Sequence, residues 1–338
     1  MPSYLRKLAL PVLAIAGVLG YTAYWHVVAD RVPEWLAGWV DAARRQGYVA
    51  EHGTVEVGGF PLRLVVTVAD VTLGGRDAYG AWTWRAPTLV ALFKPWDFAR
   101  GLVTLPPEHA LERRPGGTFH VSQGLNQTAL VIIDGDLAKL GVDVRDLAIT
   151  DPAGRVTSAR EGEVRYELGE DDEGQVQRTF GFKLTGMTLP GAPLAGFPAA
   201  IDAAILVARL PGQPPVHLSR ADLERWRDAG GALELDLARL RWGALDLVIN
   251  GTATFDDLFR PLGAFTVTIA GYDDLLATLS RAGALTPAQG LAVGVALDAV
   301  AVDDGQGVRR AEIALTLQDG WLSVGPLPVA PLTPLPLD

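Results

Sequence analysis

Behind Arg6 and Lys7 the chain carries no charge from residue 8 to residue 29, and Asp30 closes the run. A helix rises ~1.5 Å per residue, so this stretch reaches across a hydrocarbon core of ~30 Å. Tyr21, Tyr24 and Trp25 gather near its far end, where amphipathic rings favour the headgroup level. The basic pair stands at the near end, as the positive-inside rule asks of a cytoplasmic flank. The pattern predicts a membrane anchor over residues 1–30: a single-pass inner-membrane helix through residues 8–29, with the C-terminal body in the periplasm. A cleaved secretory leader is the competing reading, because Val27-Val28-Ala29 is a tolerable cleavage pattern. Against it, the apolar run exceeds the ~7–15 residues of a leader core, and bulky rings crowd its end. Both readings put the body outside the cytoplasm.

Pro33, at the first turn of the next segment, starts an amphipathic helix over residues 31–47. Trp35, Leu36, Trp39, Val40 and Ala43 recur there at helical spacing, and Gly47 supplies the stop. This face is expected against the first sheet, or with its two tryptophans on the membrane interface. From Tyr48 the period becomes two, most clearly where Leu62, Leu64, Val66 and Val68 alternate with Arg63, Val65 and Thr67. Similar runs at 82–84, 89–93, 129–133, 164–168, 180–184, 201–210, 233–249, 265–269, 291–302 and 311–317 predict strands. Asp134-Gly135, Asp304-Gly305 and Asp319-Gly320 tolerate positive φ, and Asp151-Pro152-Ala153-Gly154 reads as a type I turn, so consecutive strands are expected to pair antiparallel. Helices are few: Ser219 with Asp222 opens one that ends at Gly230-Gly231, and another covers 273–282.

The expected fold is thus mainly β with a few capping helices: a transmembrane helix followed by a curled antiparallel sheet. Gly59-Phe60-Pro61 and Gly196-Phe197-Pro198 each introduce an alternating strand, which suggests two related halves, although a turn and an anchor ring account for the triplet equally well. The halves would be 48–168 and 180–338, separated by an acidic linker over 169–179. The tail from Gly325 alternates proline with apolar residues and suits an extended segment along a sheet.

Charge and composition narrow the chemistry. A net charge of −10, with the 29 Lys and Arg residues scattered, leaves no stripe to neutralise consecutive phosphates, so no nucleic acid is expected. The absence of cysteine removes disulfides, thiolate metal sites and cysteine nucleophiles, and suits an oxidising envelope compartment. None of the five histidines (His26, His52, His109, His120 and His217) has another at the spacing that places two ligands on one helix face. Glu108-His109 could act as an acid–base pair, but an exposed loop histidine is more often inert. No nucleophile elbow, Walker loop or dinucleotide fingerprint is present, so neither a cofactor nor an enzymatic activity is expected. Asp143, Asp146 and Asp151 are near in sequence without forming a catalytic motif. The aromatic set Trp82, Trp84, Phe93, Trp96 and Phe98 is the candidate wall of an apolar groove; core packing is the ordinary fate of such rings.

Several segments carry a family resemblance: Trp39, Arg44-Arg45-Gln46-Gly47-Tyr48, Gly59-Phe60-Pro61-Leu62-Arg63-Leu64, Trp82-Thr83-Trp84-Arg85-Ala86-Pro87, Pro106-Pro107-Glu108-His109, Gly231-Ala232-Leu233, Trp242-Gly243 and Gly325-Pro326-Leu327-Pro328. Together they resemble the proteobacterial domain-of-unknown-function family numbered 2125, a likeness that offers no catalytic residues. Residues 237–255, taken with the anchor, are similar at the level of fold to AsmA-like envelope proteins, which implies a curled sheet with an apolar groove associated with lipid handling. The expected function is a membrane-anchored periplasmic binding module that holds lipid or another apolar ligand in envelope maintenance. The alternative is a structural or scaffolding envelope protein with a filled core and protein partners.

Overall fold

The computed structural model describes residues 3–77, 79–191, 197–212, 219–303, 305 and 308–335, with only the backbone described over 3–11. Gly196, His217 and Asp304 of the sequence reading lie outside the described residues. The protein is mainly β, with 56% of the chain in strands and 22% in helices, and every pairing given below is antiparallel. It forms two compact units, residues 1–136 with 149–154, and residues 137–148 with 155–338.

The first unit contains helix α1 (Ser3–Arg45) and strands β1 (Val49–Glu51), β2 (Val55–Gly58), β3 (Leu64–Asp77), β4 (Gly80–Lys94), β5 (Asp97–Thr104), β6 (Glu108–Arg114), β7 (Gly117–Ser122) and β8 (Leu125–Ile133). β3 pairs with β1, β2 and β4. β4 then forks: residues 81–85 pair with β6, residues 90–94 with β5. β6 continues to β7 and β5 to β8. Strand β9 (Asp136–Thr150) contributes to both units.

One continuous helix replaces the expected anchor and separate amphipathic helix. Pro33 cannot donate to the preceding turn, a local cost of about 3 kcal/mol. Residues on both sides of it nevertheless bury against the same strands: Trp25, Val28 and Ala29 pack with Leu64, and Val32 and Leu36 pack with Val66, Val68 and Val71. Burial of that stripe outweighs the local penalty. Trp35 and Trp39 stay exposed beside it. Gly47, with φ of +88°, turns the chain out of the helix as expected.

β4 joins two runs that were expected as separate strands. Pro87, which lacks a donor, faces Asp70 in a left-handed conformation (φ 49°) between the pairs Ala69↔Thr88 and Val71↔Ala86, across which the register runs unbroken. This backbone conformation lets Val66, Val68 and Val71 reach one core although strict alternation would send Val71 to the other face.

The second unit contains β10 (Val156–Glu170), β11 (Val176–Thr188), β12 (Ala200–Pro211), α2 (Arg220–Asp228), β13 (Leu233–Trp242), β14 (Leu245–Phe255), β15 (Pro261–Ala270), α3 (Tyr272–Arg281), α4 (Pro287–Val300), β16 (Val302–Asp303), β17 (Arg309–Gln318), β18 (Trp321–Val324) and β19 (Leu327–Pro331). From β10 to β15 each strand pairs with the next; β17 follows β15 in the sheet and carries β18 and β19. Helices α3 and α4 supply Tyr272, Val293 and Leu297 to a core with Trp242, Leu245, Val267 and Ile269.

Three expectations change here. The run 291–302 is largely helix: Thr286 and Gln289 form a capping box with proline in the first turn, and Gly290, Val293 and Leu297 bury at helical spacing. The apparent alternation hid that period. The proposed linker 169–179 is a hairpin between β10 and β11, in which Asp171 Oδ1 accepts from the backbone N–H of Glu173 and Gln175 at 2.9 and 2.8 Å. A solvated turn and a linker share the same composition. The compact units accordingly divide within β9 and not at 169–179. The run 233–249 is two strands, with Gly243 (φ 60°) at the turn. Asp134-Gly135 and Asp319-Gly320 do make left-handed turns (φ 53° and 91°, 54° and 78°), and Ser219 does cap α2.

Candidate functional site

Two concavities of the first unit both depend on β3 and β4. Residues opposed across an antiparallel pair share a face, so the register Leu73↔Trp84 and Gly75↔Trp82 places these side chains together. The last turns of α1 cross this face and leave a slot of about 300 Å3, walled by Trp39, Ala43, Tyr48, Leu73 and Trp82. Gly74 lines it, and Gly75 lies next in the strand. A Cβ on Gly75 would meet the Tyr48 ring at 2.9 Å, and one on Gly74 would lie 2.9 Å from the Trp82 carbonyl oxygen. The lining is almost wholly apolar, suited to a hydrocarbon ligand and not to an ion.

The second concavity, about 640 Å3, opens where β4 forks and is bordered by Asp70, Arg85, Glu108, His109, His120 and Ser122. Arg85 is already engaged with Glu112 at 3.0 Å. Hydrogen bonds from Arg85 and Arg114 hold the Glu112 carboxyl below the usual carboxylate range. The Trp84 indole N–H donates to His109 Nδ1 at 3.1 Å, which leaves the ring proton on Nε2, and burial pushes the His109 pKa down. His109 is therefore a neutral ring tied to the aromatic layer. Glu108 and His109 are consecutive on a strand and point to opposite faces, so they do not form the acid–base pair considered from sequence. Among the described residues no hydrogen bond joins Asp70, Glu108, His120 or Ser122 to one another, and no group of three or more His, Asp or Glu residues could hold a metal ion.

The aromatic candidates fall into three places. Trp82 lines the slot. Trp84 and Phe93 pack into the core with α1, and Phe98 touches both Phe93 and Trp35, with ring centroids 6.0 and 5.5 Å apart. Trp96 is exposed. Sequence reasoning did not find Trp39 and Tyr48 as slot residues. Both stand in segments quoted for the family resemblance, but nothing local ties them to Trp82.

Comparison with protein families matches residues 25–333 to DUF2125, described as an uncharacterized protein conserved in bacteria. The chain belongs to this family. Comparisons with curated proteins and with solved structures find no match. The DUF2125 match takes in both concavities and begins at Trp25, the first buried residue of α1 among those described. The preceding part of α1 exposes Val12, Leu13, Ile15, Val18 and Leu19. Among the described residues α1 is the one helix long and apolar enough to cross a membrane, by length and composition.

Proposed function

We propose that this DUF2125 protein is a membrane-anchored periplasmic binding module without catalytic activity of its own, and that it holds a lipid acyl chain or another apolar ligand beneath α1 in the service of envelope maintenance. The observation that carries this reading is the slot. It has apolar walls and a size at the lower end of small-molecule sites. Each methylene withdrawn from water there contributes about 0.8 kcal/mol. The apolar stretch of α1 supports the anchor, and Arg6 and Lys7 before it support a periplasmic body.

The test is binding of a fluorescent fatty acid to the full chain in detergent-free lipid nanodiscs. Saturable binding, with energy transfer from nearby tryptophans, is expected. Ala43→Phe, which fills the slot from the helix side, should weaken it about tenfold, equivalent to ~1.4 kcal/mol. Binding that is absent, or unchanged in that variant, would sink the proposal. The second unit favours the scaffolding alternative, because its own helices and strands fill its core. Crosslinking in cells that recovers protein partners and no lipid would decide for it.

A further inference from the structure

The far end of the apolar span does not stand free of the β body. The Tyr21 hydroxyl donates to the Pro61 carbonyl. The Tyr24 hydroxyl donates to the Pro95 carbonyl at 2.7 Å, and the Trp25 indole N–H to the Arg63 carbonyl at 3.0 Å. Phe60 is edge-on to Trp25 and stacked on His26. Two turns, 59–63 between β2 and β3 and 95–96 between β4 and β5, are thus fastened to the helix at the level of residues 21–26. The first is shaped by Gly59 (φ +96°), whose carbonyl accepts from the Arg63 N–H at 3.1 Å.

These turns present apolar groups to solvent: Phe60 is 48% exposed, Leu62 64% and Trp96 57%. Arg63 and Lys94 are exposed beside them. Helix length then fixes their depth. Leu8 begins the uncharged run, and at ~1.5 Å per residue Tyr21 and Tyr24 stand roughly 20 and 24 Å further along. That falls short of a hydrocarbon core ~30 Å thick, and any tilt of the helix shortens the reach along the membrane normal. The turns tied to these tyrosines cannot stay clear of the far leaflet if the anchor spans it.

We infer that the turns carrying Phe60, Leu62 and Trp96 are a second membrane contact, seated in the interfacial layer of the leaflet from which α1 emerges. Phe60, Leu62 and Trp96 enter the headgroup–acyl boundary, and Arg63 and Lys94 meet lipid phosphates. With helix and turns both held, the sheet stands at one fixed angle to the bilayer. This inference rests on the anchor reading and extends it.

The chain has no cysteine, so single nitroxide labels can be introduced cleanly. Leu62→Cys, Trp96→Cys, Val18→Cys and Tyr79→Cys would be labelled in the full chain, reconstituted in vesicles of phosphatidylethanolamine and phosphatidylglycerol. Tyr79 is 81% exposed at the other end of the β3–β4 hairpin, roughly 40 Å from the turns. Labels at 62 and 96 are expected to relax more with oxygen than with a water-soluble nickel chelate, as at 18, and the label at 79 the reverse. A lipid signature at 18 with nickel-accessible labels at 62 and 96 overturns the inference and leaves the anchor standing. Nickel accessibility at 18 as well overturns both.

Discussion

Each unit sets helix against antiparallel strands, but they obtain the helix from different places. The second unit takes α3 and α4 from its own chain between β15 and β17. The first takes α1, the segment that also carries the apolar span. The contrast repeats at a smaller scale. Trp242 donates its indole N–H to the Pro198 carbonyl at 2.7 Å and packs on Phe197, 4.6 Å between centroids. Trp25 does the same to the Arg63 carbonyl beside Phe60. Phe197 is only 7% exposed, whereas Phe60 remains half open. One turn closes a core; the other joins the β body to the helix that carries the apolar span. Folding of the first unit is therefore coupled to the helix that carries the apolar span, whereas the second unit supplies its own helices.

The largest break in that symmetry is expected from removing residues 1–45. Leu64, Val66, Val68, Val71 and Ala91 would lose their cover, and at about 1.5–3 kcal/mol for each large side chain the loss exceeds what a unit of this size can absorb. Hydrogen exchange should show β3 and β4 unprotected while β13 to β15 keep their protection. Protection retained in β3 would refute the coupling.

A smaller, symmetric effect comes from the two tryptophans. Trp25→Ala and Trp242→Ala should each cost about 3–5 kcal/mol, each read only in its own unit by exchange. A Trp25→Ala effect confined to membrane insertion, with β3 protection unchanged, would show that the ring is an anchor alone.

The smallest effect sharpens the difference through pH. Burial works against the charged form of Asp246, but hydrogen bonds from Arg239 and Arg310, both at 3.0 Å, prevail and hold its carboxyl below the usual range. Asp246, Ala270 and Arg310 lie in one row across β14, β15 and β17, with the small Ala270 leaving room for Arg310 to reach over. A carboxyl that titrates lower when folded contributes in full above its unfolded pKa of ~4 and loses that contribution as pH falls through the folded value. Acid should accordingly weaken the second unit, and Asp246→Asn should cost about 1–3 kcal/mol near neutrality and flatten that part of the acid slope. Denaturation followed at pH 7 and pH 3 checks both.

What could be read from the residues was what is local. Strand periods outside 291–302, the left-handed Asp134-Gly135 and Asp319-Gly320 turns and the Ser219 cap each depend on a few neighbours, and these appear in the structure. The left-handed backbone at Asp70 was invisible because nothing next to it in the chain marks it, and Pro87 faces it only once β3 and β4 have paired. α4 escaped because alternating valine, leucine, alanine and glycine satisfy a period of two as well as one of 3.6. The slot was missed for a further reason: Trp39, Tyr48 and Trp82 meet only once α1 has folded back on the sheet. Its place at the end of the apolar run marks Trp25 as a headgroup ring, whereas its hydrogen bond to the Arg63 carbonyl and its packing on Leu64 make it a core ring.

The central claim is that α1 is at once the anchor and a structural layer of the first unit. It is tested most directly by the distance between spin labels at Glu34→Cys on α1 and Ala99→Cys on β5, both exposed positions, measured by double electron–electron resonance on the full chain in lipid nanodiscs. The account predicts one narrow distance distribution that is unchanged between nanodiscs and detergent. A broad distribution, or one that shifts with the surrounding lipid, would mean that the helix is tethered to the body and not packed upon it.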